Sequence, residues 1–164
     1  MSRHVFYSLH YAADRSRVAG ILTSKALVAN VEAELADWAK IKRSGDFAIK
    51  RWLEQQLKGR SCTVVLIGAQ TASRPLVQYE IAHSRQLKIP IFGVYVHQLK
   101  DAQGKQSSKG ENPFEHPASG LGELAAQIPV FDPPETESKL AYRYIVDNLA
   151  QWAEDTVEQA KLWP

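Results

Sequence analysis

The chain of 164 residues has one cysteine, Cys62, and one methionine. A solitary cysteine excludes a disulfide framework within the chain and any thiolate metal cluster, and it fits a reducing cytoplasm. Long apolar runs are also missing. No stretch approaches the roughly 20 apolar residues that span a bilayer, and the opening "MSRHVFYSLHY" has no secretory core, so a soluble, cytoplasmic protein without a membrane partner is expected. Nor is there an excess of charge of one sign. Twenty basic against eighteen acidic residues leave +2, too little to neutralise a row of phosphates, which argues against a nucleic-acid partner; "KIKR" (40–43) reads as a solvated helix face.

Chemical signatures are sparse as well. The turn "GAQTASRP" has neither the GxGxxG spacing of a dinucleotide fold nor the lysine of a P-loop. Five histidines form no HxxH or HxxxH pair, so no metal is implied. Ser8, His10 and Asp14 carry the letters of a hydrolase triad, but the GxSxG elbow is absent, and a serine ending a first strand is more often a turn former.

What is present is a core and a rhythm. With 45% hydrophobic and 23% charged residues the chain has the balance of one globular domain, 1–164. Three runs, "HVFYS" (4–8), "CTVVLIG" (62–68) and "IPIFGVYV" (89–96), stay apolar instead of alternating, the mark of strands buried on both faces in a parallel sheet. Between them lie helical periods. Asp46 is placed to cap a helix with a stripe at Ile49, Trp52, Leu53 and Leu57 and a stop at Gly59. Ser73 is placed to cap another, with Pro75 in its first turn and Val77, Ile81 and Ser84 on one face. This order gives an α/β fold with right-handed crossovers.

Segment 25–45 reads either as one amphipathic helix through Leu27, Val31, Leu35 and Trp38, or as a strand at "ALVAN" followed by a loop and a short helix. Residues 97–127 are polar and rich in Gly and Ser, longer than a compact connection needs, and read as a functional loop or a disordered one. A short run "IPVF" (128–131) precedes a C-terminal helix over 136–160, with a stripe through Leu140, Tyr144, Ile145, Leu149, Trp152 and Val157.

In open α/β sheets ligands bind beyond the carboxyl ends of the strands. The first such end, "YSLHYAAD", offers a hydroxyl, an imidazole and two rings, although Tyr7 and Leu9 also suit plain packing between sheet and helices. Glu80, two turns into the helix after Ser73, reads by pattern alone as a surface acid.

Four ordered segments, "VFYSLHY", "TVVLIGAQTASRPLVQYEI", "IFGVYVHQLKD" and "SKGENPF", resemble the TIR-like proteins of bacterial Thoeris anti-phage defence. The resemblance implies a flavodoxin-like, three-layer α/β domain with a central, mostly parallel five-stranded sheet flanked by helices. It implies an enzyme without a resident cofactor that consumes NAD as substrate, breaks the nicotinamide N-glycosidic bond and makes a signal nucleotide. Its partners on this basis are NAD, a separate effector reached through the diffusible product, a phage-derived trigger and further copies of the chain. The essential acid of the family falls on Glu80. Phe6, Tyr7, Ser8, Leu9, His10 and Tyr11 become pocket residues, with Leu76 and Tyr79 limiting water; Leu76 stands where the family pattern has tryptophan. Two other readings remain open: a non-catalytic TIR-like interaction module, and a nucleoside or nucleotide glycosyl-transferring enzyme using the same carboxylate.

Overall fold

A computed structural model describes residues 2–29 and 40–164. The three apolar runs form β1 (Val5–Ser8), β2 (Cys62–Ile67) and β3 (Ile91–Tyr95), every residue of which is buried, as a sheet covered on both faces requires. With β4 (Val130–Phe131) they make a parallel sheet in the order β1-β2-β3-β4. Val5 pairs with Cys62 and Ser8 with Val65, which aligns the starts of β1 and β2 and carries β2 two residues past the end of β1. The lone cysteine lies in this sheet, where burial pushes its thiol up to about 12, so it packs as a small hydrophobe and not as a reactive group.

The fifth strand is a correction: the sheet has four strands among the described residues. "ALVAN" contributes a single parallel bridge between Val28 and His4, closed by the Val5 N–H to Val28 O and Val28 N–H to Arg3 O bonds, both 2.9 Å. Leu27 turns into the core while Val28 stays 40% exposed, as at a sheet edge. Val31, Leu35 and Trp38, the rest of the stripe expected for 25–45, lie outside the described residues; residues 40–43 are helical. The bridge sits on the far side of β1 from β2, so the chain reverses its direction of travel across the sheet at β1. In doubly wound sheets the crevice at that reversal is where ligands bind.

Helix α1 (Tyr11–Leu22) starts two residues after β1 and buries Val18 and Ile21. Helix α2 (Asp46–Leu57) buries Ile49, Leu53 and Leu57 of its expected stripe and leaves Trp52 half-buried. Its N-cap is Gly45 at φ 92°, not Asp46, whose carboxylate instead sits in the first turn, where negative charge favours the helix dipole. Helix α3 (Pro75–Gln86) has proline at its first position, as expected, but its N-cap is Arg74, and Ser73 closes a preceding 3-10 turn (Thr71–Ser73) by donating to Gln70 O. Helix α4 (Ser138–Ala160) buries Ala141, Ile145, Leu149, Trp152 and Thr156. Leu140 and Tyr144, expected in its stripe, are 42% and 37% exposed, because the ridge facing the sheet is set one residue further on.

Two apolar clusters separate the layers. Val5, Tyr7 and Leu9 pack with Val18, Ile21, Phe92, Val94 and the α4 ridge on one face of the sheet. On the other, Val65 and Ile67 pack with Val77 and Ile81 of α3. Residues 97–127 are folded onto that second cluster, not detached from it: Phe114, Leu121 and Leu124 are buried there, and 3-10 turns run over Pro117–Ser119 and Gly122–Gln127. Arg17 fastens the start of the segment, donating from Nη1 to Leu99 O and Lys105 O while its Nε holds Asp14 Oδ1 at 3.1 Å.

The segment crosses the end of β2 closely enough that a Cβ on Gly110 would stand 2.1 Å from the Gly68 carbonyl oxygen, with backbone on both sides. Gly110→Ala is therefore expected to lower stability by about 1–3 kcal/mol in urea unfolding through forced backbone displacement, while the exposed control Gln103→Ala changes little. Equal stabilities would mean that the segment does not hold this close approach.

Candidate functional site

Alternation along β1 divides its side chains. Tyr7 joins the core beneath α1 and α4, whereas Ser8, and with it Phe6, faces α3. On α3, Val77 and Ile81 meet the sheet, and Glu80, on the flank of that stripe, is drawn in to 3% exposure. The Ser8 hydroxyl, itself fully buried, donates to Glu80 Oε1 at 2.9 Å. A second pair of hydroxyls fixes the helix turn behind it: Ser84 Oγ donates to the Glu80 carbonyl at 2.7 Å and lies 2.7 Å from Thr63 Oγ1 of β2. The carboxyl position is thus tied to both β1 and β2.

Burial dominates the electrostatics. It pushes the Glu80 carboxyl up to about 8, and the Ser8 hydrogen bond, which favours the charged form, offsets only part of this. At neutral pH the unliganded site therefore keeps its acid mostly protonated. His10 moves the other way: desolvation and then the Arg74 guanidinium hold its imidazole below the usual range, with Asp14 opposing, so the ring is neutral at pH 7.

A cleft of about 420 Å³ is lined by the residues next to this pair in the chain, with neither Ser8 nor Glu80 in its wall. Leu9, His10 and Tyr11 form one wall; Arg74, Leu76 and Tyr79 form the other. Lys42, Asp46 and Ile49 close it from the side of α2. The cleft and the buried pair come from the same two pieces of chain, since Leu9 follows Ser8 and Tyr79 precedes Glu80. The structure thus brings Ser8 and Glu80 into contact and gathers Leu9, His10, Tyr11, Leu76 and Tyr79 around the cleft. Phe6 lies buried next to Ser8, and Tyr7 belongs to the opposite core. The triad letters are not wired as a triad, because Ser8 donates to Glu80 and the Asp14 carboxylate is held by Arg17. Among the described residues no group of three His, Cys, Asp or Glu is placed to hold a metal, and no helix is long and apolar enough to cross a membrane. Sequence reasoning missed Arg74, Lys42 and Asp46 as cleft residues. The available signal was position: Arg74 is the N-cap of the helix that leaves the end of β2, where a doubly wound sheet binds ligands.

The family model described as "Thoeris protein ThsB, TIR-like domain" matches residues 6–101, more than half of the chain. The chain belongs to that family. A protein of Bacillus cereus (strain MSX-D12) named "Putative cyclic ADP-D-ribose synthase ThsB1" is 35% identical over 121 residues, covering 71% of this chain and 63% of the relative. The chain thus spans less than two thirds of that relative's length. The TIR-like match contains both members of the buried pair and every cleft residue named above, while α4 lies beyond it.

A carboxyl that holds its proton up to about 8 in the folded chain, but only to about 4.5 when unfolded, leaves the folded state with the extra proton between those values. Stability is therefore expected to fall as pH rises from about 4.5 to 8 and to level off above. Glu80→Gln should flatten this part of the pH–stability curve in chemical unfolding and be at least as stable as the parent at pH 8. A slope undiminished in the variant would assign the buried proton to another group.

Proposed function

We propose that this chain is a TIR-like enzyme that consumes NAD, breaks the nicotinamide glycosidic bond and makes an ADP-ribose-derived nucleotide, cyclic or conjugated. The observation that carries this reading is the buried Glu80, held by Ser8 beside a cleft at the sheet's reversal point. The relative's name, "Putative cyclic ADP-D-ribose synthase ThsB1", supports it.

The chemistry asks little more of the protein than this pair. Nicotinamide leaves as a neutral molecule from an already cationic ring, so no general acid is required. The ribose carbon gains positive charge as the bond breaks, and a carboxylate in a dry site stabilises that charge strongly. Glu80 starts protonated. A cationic substrate beside it favours the ionised form, so binding itself drives loss of the proton, and the Ser8 O–H then donates to the resulting anion. Leu76 and Tyr79 keep water from the cleft wall next to Glu80, which favours capture of the ribosyl cation by an acceptor other than water. The diffusible product would reach a separate effector in the cytoplasm during anti-phage defence, with a phage-derived trigger and self-assembly setting when the site works.

Purified protein incubated with NAD, with and without lysate from infected cells, is expected to release nicotinamide, and Glu80→Gln to release none. Because the free enzyme must ionise Glu80, kcat/KM should rise with pH to a plateau above about 8, and Ser8→Ala should move that rise to higher pH. Product mass separates hydrolysis, cyclisation and conjugation. A folded parent protein that releases nothing in either condition would leave a non-catalytic interaction module as the better reading, and turnover of nucleosides in place of NAD would establish glycosyl transfer.

A further inference from the structure

We infer that Arg74, with Lys42 on the α2 side of the cleft, forms a subsite that grips the diphosphate of a dinucleotide lying there; the diphosphate identity rests on the NAD reading, the anion preference does not. Most of the cleft is apolar, with Leu9, Leu76, Val77 and Ile49 among its walls, and such a surface cannot by itself hold a doubly charged group. Among the described residues the cations that line it are Arg74 and Lys42, and the carboxylate is Asp46.

Arg74 is unlike the other arginines near the sheet ends. Arg17 is consumed by Asp14 and by the Leu99 and Lys105 carbonyls, and Arg3 by Glu154. Among the described residues Arg74 makes no ion pair, not even with Asp46. Among the described residues its side chain's one hydrogen bond is a long 3.4 Å contact from Nη2 to Gln70 Oε1, and its Nε is buried without an acceptor. His10 Nδ1, across the same cleft, is likewise buried without a partner. Both residues line the cleft, and each keeps a nitrogen buried without a partner, which small side-chain shifts toward a bound ligand would satisfy. A planar guanidinium suits two oxygens of a phosphate, and the backbone N–H groups of Leu76 and Val77 in the first α3 turn, which no side chain caps, add to the same field. The basic cleft of about 570 Å³ between α1 and α4 has Arg17, whose donors are already used, and the exposed Lys139 and Arg143, and none of these carries a buried nitrogen without an acceptor.

The subsite has a spectroscopic signature, because Arg74 helps to hold the His10 imidazole below its usual range. Bound anion cancels that influence, so the His10 titration should move to higher pH when inorganic pyrophosphate is added to the full chain, and should not move in Arg74→Gln. Calorimetric titration with ADP-ribose at low salt is expected to show binding weakened roughly 10- to 100-fold in Arg74→Gln and partly restored in Arg74→Lys, with unchanged thermal melting. KM for NAD should rise by the same factor while kcat changes by less than about threefold. Pyrophosphate and ADP-ribose binding within about twofold of the parent in folded Arg74→Gln and Arg74→Lys would overturn the subsite. The two readings fail separately: Arg74-dependent anion binding by a chain that releases no nicotinamide upholds the subsite without the enzyme, and nicotinamide release with the same KM in parent and Arg74→Gln removes the subsite and leaves the enzyme.

Discussion

The interaction on which the rest depends is the hydrogen bond from Ser8 to Glu80 inside the layer between sheet and helix. A carboxyl shielded to 3% exposure is tolerated there because it can stay neutral and because one hydroxyl meets it. That single contact fixes much else. It demands that β1 present Ser8, not Tyr7, toward α3, which sets the register of every side chain on the strand. It also demands that α3 not slide, and the Ser84 and Thr63 hydroxyls supply that restraint one turn away. An aliphatic residue at 80 would satisfy packing more simply, so the carboxyl costs stability above neutral pH in return for a charge that can be produced on demand.

The topology makes this charge usable. Because the Val28 bridge lies on one side of β1 and β2 on the other, the ends of β1 and β2 are where the chain parts, and the cleft opens among the residues that follow them. The two walls of the cleft are then extensions of the elements that hold the buried pair. The 97–127 segment works on the adjacent face. Gly110 rests on the Gly68 carbonyl and Gln78 of α3 donates to Pro113 O, so the segment braces both the end of β2 and the first half of the helix carrying Glu80.

How much of this was legible depended on what each residue had to do. Strands β1, β2 and β3 were read within two residues of their ends because burial on both faces leaves an unbroken apolar run, a signal that owes nothing to neighbours. "ALVAN" was ambiguous because an edge needs only one buried side chain, here Leu27, and one bridge leaves no period to count. Glu80 was invisible to periodicity: position 80 flanks the Val77–Ile81–Ser84 stripe, and its burial follows from how broadly α3 seats on the sheet, a tertiary fact. Resemblance, not pattern, pointed to it. The same limit explains Arg74, since a cation before a proline looks like an ordinary loop residue until the sheet end is placed beside it. In 97–127 the polar composition concealed three anchors, Phe114, Leu121 and Leu124, set singly among Gly, Ser and charged residues.

Leu76 is where fold and chemistry meet most directly. A tryptophan at this wall position would fill the cleft beside Glu80, whereas leucine leaves volume and retains an apolar surface. The aromatic surface is supplied instead from the flanks, by Tyr11 at the start of α1 and Tyr79 one turn along α3. Neither change alters the carboxyl or its hydroxyl partner, which belong to the layer beneath and are held by contacts that Leu76 does not make. On the proposed reading, cleavage is therefore set by the Ser8–Glu80 layer and the choice of acceptor by the cleft above it. The two can vary independently because one is fixed by the packing of the sheet and the other by side chains on its rim.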